Sequence, residues 1–280
     1  MVSSDFSSPH RHFPIGVFDS GVGGLTVLRA LRDRLPAESF VYLGDTARLP
    51  YGTKSPDSVR RYSLQASQFL VSRGIKCLVV ACNTASAMAL PLLRERLSPI
   101  PVIGVIEPGA AAGCGASRSG RIAVIATEGT VAGGAYQEAI ARMRAGAQVQ
   151  ARACTLFVAL AEEGWTEGEI AETVARRYLE DLFATPARAP DTLVLGCTHF
   201  PVLLGALRRV VGPEVTIVDS AATTAAAVAA ELAELQLAAS GIAPGRLTLM
   251  ATDGAARFAR VGSRFLGEPF AADDVELVDL

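Results

Sequence analysis

Two short apolar runs in this chain end in the same way, and a chain that repeats such a frame repeats the fold unit around it. Cys77-Leu78-Val79-Val80-Ala81 leads into Cys82-Asn83-Thr84, and Thr192-Leu193-Val194-Leu195-Gly196 leads into Cys197-Thr198-His199. The offset from Cys82 to Cys197 is 115 residues. Short runs of β-branched residues and leucine read as buried strands. Each thiol then stands where a strand gives way to a helix, at the rim where open α/β sheets bind ligands. Two such units brought face to face hold one small molecule between two thiols. That arrangement can take a proton from one face of a carbon and return one to the other.

The rest of the chain fits this unit. Strand-like runs at Pro14–Phe18, Phe40–Leu43, Cys77–Ala81, Val102–Val105, Arg121–Ala126, Gln148–Ala153, Thr192–Gly196, Val215–Val218 and Arg246–Ala251 alternate with helical patterns. One such pattern places Val59, Tyr62, Ala66, Phe69 and Leu70 at three- and four-residue spacing after the start signal Pro56-Asp57. Strands alternating with helices imply right-handed βαβ units and parallel sheet. The expected fold class is α/β, with two pseudo-symmetric, doubly wound parallel-sheet domains and the active site between them. The crossings fall near Glu107-Pro108-Gly109 and near Asp219-Ser220. The expected division is a mobile tail over 1–13, a discontinuous first domain of 14–106 plus 220–280, and a second domain of 107–219.

Composition removes several function classes. A chain of 280 residues, half of them apolar and with net charge −2, has ample core and no basic surface for nucleic acid. No uncharged apolar run reaches membrane-spanning length; the longest, Ala221 to Ala239, is interrupted by Glu231 and Glu234. Residues 1–13 lack the apolar centre of a signal peptide. With no export signal, an odd count of five cysteines points to free thiols in a reducing, cytoplasmic compartment.

Small and polar residues gather where the strand-like runs stop. Asp19-Ser20-Gly21-Val22-Gly23-Gly24 follows the first run, Gly44-Asp45-Thr46 and Pro50-Tyr51-Gly52 the second, and Asn83-Thr84 follow Cys82. Thr127-Glu128-Gly129-Thr130 and Thr198-His199 close two later runs. In a parallel sheet all these ends share one rim. The following helix N-termini present backbone N–H groups suited to a carboxylate. His199 is the one histidine outside the tail and lies two residues from a strand-end cysteine, placed to bond substrate or to promote the thiolate.

Other chemistries lack their residues. The stretch Gly21–Gly24 has Thr26 where a dinucleotide loop needs its third glycine. No phosphate-loop lysine motif and no G-x-S-x-G elbow occurs. Only Lys54 and Lys76 are lysines, and neither sits at a strand end with acidic or aromatic company, which leaves a pyridoxal Schiff base little room. The cysteines at 77, 82, 114, 154 and 197 show no metal-ligand spacing, and Cys77, Cys114 and Cys154 read as core or surface residues. Neither metal nor cofactor is expected.

Four segments closely resemble motifs of the bacterial glutamate racemases, within the cofactor-independent aspartate/glutamate racemase family. They are Gly16–Val27 (with Asp19-Ser20-Gly21-Val22-Gly23-Gly24), Gly44–Gly52, Ala81–Ser86 and Gly196–Pro201, in the family's order, and the resemblance runs from about Ile15 to Phe265. It implies that Cys82 and Cys197 are the acid/base thiols, with Asp19 assisting the first and His199 the second. It further implies that Asp19, Ser20, Tyr51, Gly52, Asn83, Thr84, Thr198 and His199 contact substrate, and that Glu162 in Ala161-Glu162-Glu163-Gly164 belongs to the site. The implied substrate is L- or D-glutamate, the implied role the supply of D-glutamate for peptidoglycan synthesis. A homodimer is compatible with this reading. Thr155, Ala161, Phe200 and Asp253 depart from the family pattern, where proline, valine, tyrosine and serine are expected. The alternatives are a sister racemase acting on aspartate or a hydantoin, a non-catalytic protein binding an acidic amino acid, and a thiol-dependent redox or hydrolytic enzyme. The absence of C-x-x-C weighs against the last.

Overall fold

The computed structural model describes residues 10–185, 187–241 and 243–280. Among the described residues ten strands form two sheets, and every pairing is parallel. The first sheet takes β1 (Ile15–Asp19), β2 (Phe40–Gly44), β3 (Cys77–Val80), β4 (Val102–Gly104), β9 (Leu247–Ala251) and β10 (Val275–Leu277). The second takes β5 (Arg121–Ala126), β6 (Gln148–Ala153), β7 (Thr192–Gly196) and β8 (Thr216–Asp219). Their orders are β10-β9-β2-β1-β3-β4 and β6-β5-β7-β8. Counted within its own half, each sheet contains the order second-first-third-fourth, and the first sheet extends it with β9 and β10 beside its second strand. Each has its switch point between its first and third strands, the place where ligands bind in such sheets.

The near-continuous apolar strands follow from burial on both faces. In the first sheet Ile15, Val17, Phe40, Tyr42, Cys77 and Val79 point into one core, while Phe18, Val41, Leu43, Leu78 and Val80 point into the opposite one. The second sheet repeats this, with Ala123, Ile125, Leu193 and Leu195 on one face and Ile122, Val124 and Val194 on the other. Period-two alternation thus feeds four cores from two sheets. Helices cover them. The helix Pro56–Ser72, N-capped by the Ser55 hydroxyl and opened by Pro56, buries Val59, Ala66 and Leu70, with Tyr62 and Phe69 at the core's edge. The alanine-rich helix Ser220–Glu234 buries Ala221, Ala225, Val228 and Leu232 in the first core. No described helix is long and apolar enough to cross a membrane.

Three features differ from expectation. The short edge strand β10 is absent from the sequence reading because its Val275-Glu276-Leu277 lies among acidic residues and shows no apolar run. Residues 1–9 of the expected mobile tail lie outside the described residues. Its last part is tied down: residues 10–12 form a 3-10 turn, and Arg11 donates from Nε to the Gln236 carbonyl at 2.7 Å. Lys76, expected to lack acidic company, is buried where β3 begins, 2.5 Å from Glu38 before β2. Its ammonium also donates to the carbonyls of Arg11 and Leu237 at 2.9 Å each. This pair closes the rim opposite the thiols, and with every proton engaged Lys76 is a structural cation.

Candidate active site

The two thiols stand at equivalent positions, each following the third strand of its sheet. Both are only 6% exposed. Cys82 occupies the N-cap of the helix Asn83–Arg96, and its Sγ accepts the Ala85 N–H at 3.5 Å and lies 3.6 Å from the Ser20 Oγ. Burial, then the carboxyl of Asp19, push this thiol up to about 12; a charge on Cys197 adds to the effect. Asp19 closes β1, the neighbouring strand, and accepts the Gly21 N–H at 2.9 Å on Oδ2. Burial raises its pKa against the pull of His199 and of the backbone N–H groups around it. Its Oδ1 is buried without a hydrogen-bond partner among the described residues.

Cys197 has a different escort. The His199 Nδ1 lies 3.9 Å from its Sγ, and the His199 Nε2 lies 3.2 Å from the Glu162 Oε1. Burial works against a charged ring, yet the hydrogen bonds to Cys197 and Glu162 prevail and carry His199 up to about 10. Glu162 shows the complement. Burial opposes its ionisation, but hydrogen bonds from His199 and Arg257 bring it down to about 2. At neutral pH the pair is imidazolium and carboxylate. Glu163, its neighbour, is exposed. Thr155 takes the N-cap position of the helix Leu156–Glu163, and Ala161 lies within it beside Glu162.

The two halves interlock around these groups. A Cβ on Gly23 would come within 2.3 Å of the Thr198 Oγ1 and 2.4 Å of the His199 Nδ1, so only glycine lets the first loop press on the second thiol's turn. Thr26 donates its hydroxyl to the Thr198 carbonyl at 3.0 Å. The Tyr136 hydroxyl donates to the Asn83 Oδ1 at 2.8 Å, leaving the buried Asn83 Nδ2 without a partner among the described residues. The Thr84 Oγ1 lies 3.1 Å from both the Thr127 and the Thr130 hydroxyls, which are 3.2 Å from each other. Gly52 is buried against Thr127.

One named residue also has a structural partner. The resemblance implies that Tyr51 contacts substrate. The Tyr51 hydroxyl donates to Asp45 Oδ2, and Asp45 also accepts from Arg48 at 2.7 Å and from Thr252 at 3.1 Å. Asp45 thus holds this turn, and burial together with its charge raises the Tyr51 pKa. The remaining named groups, Asp19, Ser20, Gly52, Cys82, Asn83, Thr84, Cys197, Thr198, His199 and Glu162, converge on the seam between the sheets. Thr127, Thr130, Tyr136 and Arg257 join them unannounced. The two threonines lie in a strand-end cluster visible in the sequence. Tyr136 and Arg257 sit within amphipathic helices, where nothing local marks them.

Among the described residues no group of three or more His, Cys, Asp or Glu side chains is arranged to hold a metal ion. All five cysteines are free thiols. The model of the Asp/Glu/Hydantoin racemase family matches residues 15–228 of this chain. The chain belongs to that family. Within the racemases, it is 54% identical over 253 residues to the glutamate racemase of Geobacter metallireducens, covering 90% of this chain and 92% of that protein. The structure superimposes on a glutamate racemase isoform from Bacillus anthracis with a TM-score of 0.90 at 37% identity, covering 97% and 99% of the two chains. The glutamate racemase of Francisella tularensis in complex with D-glutamate gives 0.87 at 34% identity, covering 96% and 98%.

Proposed function

We propose that this racemase-family protein interconverts L- and D-glutamate by a cofactor-independent, two-base reaction between Cys82 and Cys197. The relatives named above, glutamate racemases throughout, support the substrate. The observation that carries the mechanism is the pair of buried thiols at matched strand ends, each with its own proton-managing partners. An amino-acid α-proton is far less acidic than any thiol, and a free thiol is only a few per cent ionised near neutral pH, so a thiolate base needs strong local help. On one side that help is the imidazolium of His199, a cation against which a Cys197 thiolate can rest. On the other, burial and Asp19 keep Cys82 in its thiol form, ready to donate.

The cycle then runs in one proton each way. The Cys197 thiolate removes the α-proton of L-glutamate, the Cys82 thiol delivers its own to the opposite face, and D-glutamate leaves behind the inverse protonation state. D-glutamate starts from that inverse state, with Cys82 as base. The planar carbanion between these steps holds its charge on the substrate carboxylate, where preorganised donors stabilise it. The Asn83 Nδ2 and Asp19 Oδ1, buried and unpartnered, match the carboxylate and ammonium of an α-amino acid. Thr84, Thr127 and Thr130 supply hydroxyls at the seam. The interlocked halves exclude water from the reacting carbon.

The same reading divides the chain into a first domain of 14–106 with 220–280 and a second of 107–219, in a cytoplasmic enzyme that supplies D-glutamate for peptidoglycan synthesis. The test is circular dichroism or chiral chromatography on L-glutamate, with protein dialysed against a chelator and treated with a carbonyl reagent. Undiminished racemisation supports the reading. Activity that disappears and returns only with pyridoxal phosphate or a metal overturns it, and comparable rates on aspartate move the protein to a sister activity.

A further inference from the structure

We propose that Arg257 is a positioning residue for the Cys197 half of the reaction, reaching across the seam to fix Glu162 and, through it, the ring of His199. The inference rests on the two-thiol reading and adds a residue from outside it. Glu162 spends both oxygens: Oε1 on the His199 Nε2 at 3.2 Å, and Oε2 on the Arg257 Nη2, which donates at 2.8 Å. Glu162 comes from the helix Leu156–Glu163 and Arg257 from the C-terminal helix Ala255–Leu266. The latter helix is rooted in the first sheet's core through Phe258, Val261, Phe265 and Leu266. The carboxylate is therefore held between one residue of each half.

The same helix grips this corner twice more. The Phe265 ring stands edge-on to His199 with centroids 5.1 Å apart. The Arg264 guanidinium lies over Gly164, where an added Cβ would come within 1.8 Å of its Nη1 and where φ is +79°. Its contacts with His199, Glu162 and the turn after Glu162 form only when the two halves are together. The groups facing His199 are Cys197 beyond β7, Asp19 at the end of β1, and Glu162, with Arg257 behind the last. The Arg257 side chain is 49% exposed, and an ion pair so wet adds little to stability. What it supplies is direction. A carboxylate held from behind keeps the imidazole Nδ1 aimed at Sγ, the service an outer carboxylate performs for other working histidines.

The test reads each thiol separately and needs no turnover. Alkylation by iodoacetamide at one near-neutral pH is followed by peptide mass spectrometry at Cys197 in Cys82→Ala protein and at Cys82 in Cys197→Ala protein, each with and without Arg257→Gln. The expected result is a several-fold slower reaction at Cys197 and an unchanged one at Cys82. Arg257→Lys restores part of the loss, Arg260→Gln on the same helix changes neither rate, and the melting temperature of Arg257→Gln stays within about 2 °C of the parent. Equal changes at both thiols, or none at Cys197, overturn the proposal. Absence of glutamate racemisation by the unmodified protein overturns the functional reading instead, and the alkylation result stands apart from it. In racemising protein Arg257→Gln lowers kcat/KM by about tenfold.

Discussion

The two thiol sites occupy one position in a duplicated scaffold, yet their surroundings share almost nothing. Asn83 and Thr84 follow Cys82 as Thr198 and His199 follow Cys197. Thr84 joins a cluster of three hydroxyls across the seam, while His199 binds the thiol itself and a carboxylate behind it. Cys82 opens a regular helix and takes a backbone N–H on its sulfur; Cys197 leads into the 3-10 turn Phe200–Leu203. Asp19 ends the first strand of its sheet; Thr127 follows the first strand of the other. The scaffold sets where the thiols stand, and a few loop residues set which of them meets a cation. A reaction between enantiomers of equal energy needs that division only in its protons. The unequal escorts leave the two thiols in different surroundings, an imidazole backed by a carboxylate beside Cys197, and burial with the Asp19 carboxyl raising Cys82.

Removing either thiol tests the comparison most severely. Cys82→Ala and Cys197→Ala should each abolish racemisation in both directions, by at least about 10³-fold, in a circular-dichroism assay. The halves should separate in heavy water. Protein keeping only Cys197 is expected to wash deuterium into L-glutamate, and protein keeping only Cys82 into D-glutamate. Near-normal racemisation by either variant would mean a base other than the paired thiol.

The escorts come next. Asp19→Asn and His199→Asn should each lower kcat/KM by about 10²- to 10⁴-fold, the usual range for a lost proton-handling group. Since the enantiomers have equal free energy, the fall must be the same for both in each variant. The asymmetry shows only in single-cysteine exchange, where His199→Asn should slow the L-glutamate wash-in more and Asp19→Asn the D-glutamate wash-in more. Equal effects on both half-reactions would erase the distinction between the sites.

A smaller effect concerns substrate length. Aspartate should react more than about tenfold more slowly than glutamate, because seam groups left unpaired by a shorter side chain cost about 1–3 kcal/mol each. Parallel steady-state assays on the two amino acids decide this.

Smaller still is a pH effect on stability confined to the Cys197 side. His199 is raised from 6.5 to about 10, so its contribution is complete below about 6.5 and fades as pH climbs towards 10. Glu162 is lowered from 4.5 to about 2, so its contribution is complete above about 4.5 and fades as pH falls towards 2. The melting-temperature gap between the parent and Glu162→Gln should therefore be widest between about pH 4.5 and 6.5 and narrow on either side. A gap that stays constant from about pH 2 to about pH 10 would show that the pair is not charged in the folded state. The least change belongs to Cys77→Ala, Cys114→Ala and Cys154→Ala, which should leave racemisation rates intact and shift only the melting temperature.

What the sequence determined by itself was local and repetitive. Apolar runs with small or polar endings fixed nine of the ten strands to within a residue or so, because burial on both faces of a parallel sheet writes a dense apolar word. The repeated cysteine frame fixed the duplication, and parallel winding placed both thiols on binding rims. The tertiary structure alone decided which side chains meet across the seam. Tyr136 reached Asn83, and Arg257 closed on Glu162 from 95 residues away. Such contacts depend on how two cores dock. Neither helical nor strand periodicity records which exposed arginine on an amphipathic helix will find a carboxylate on another domain.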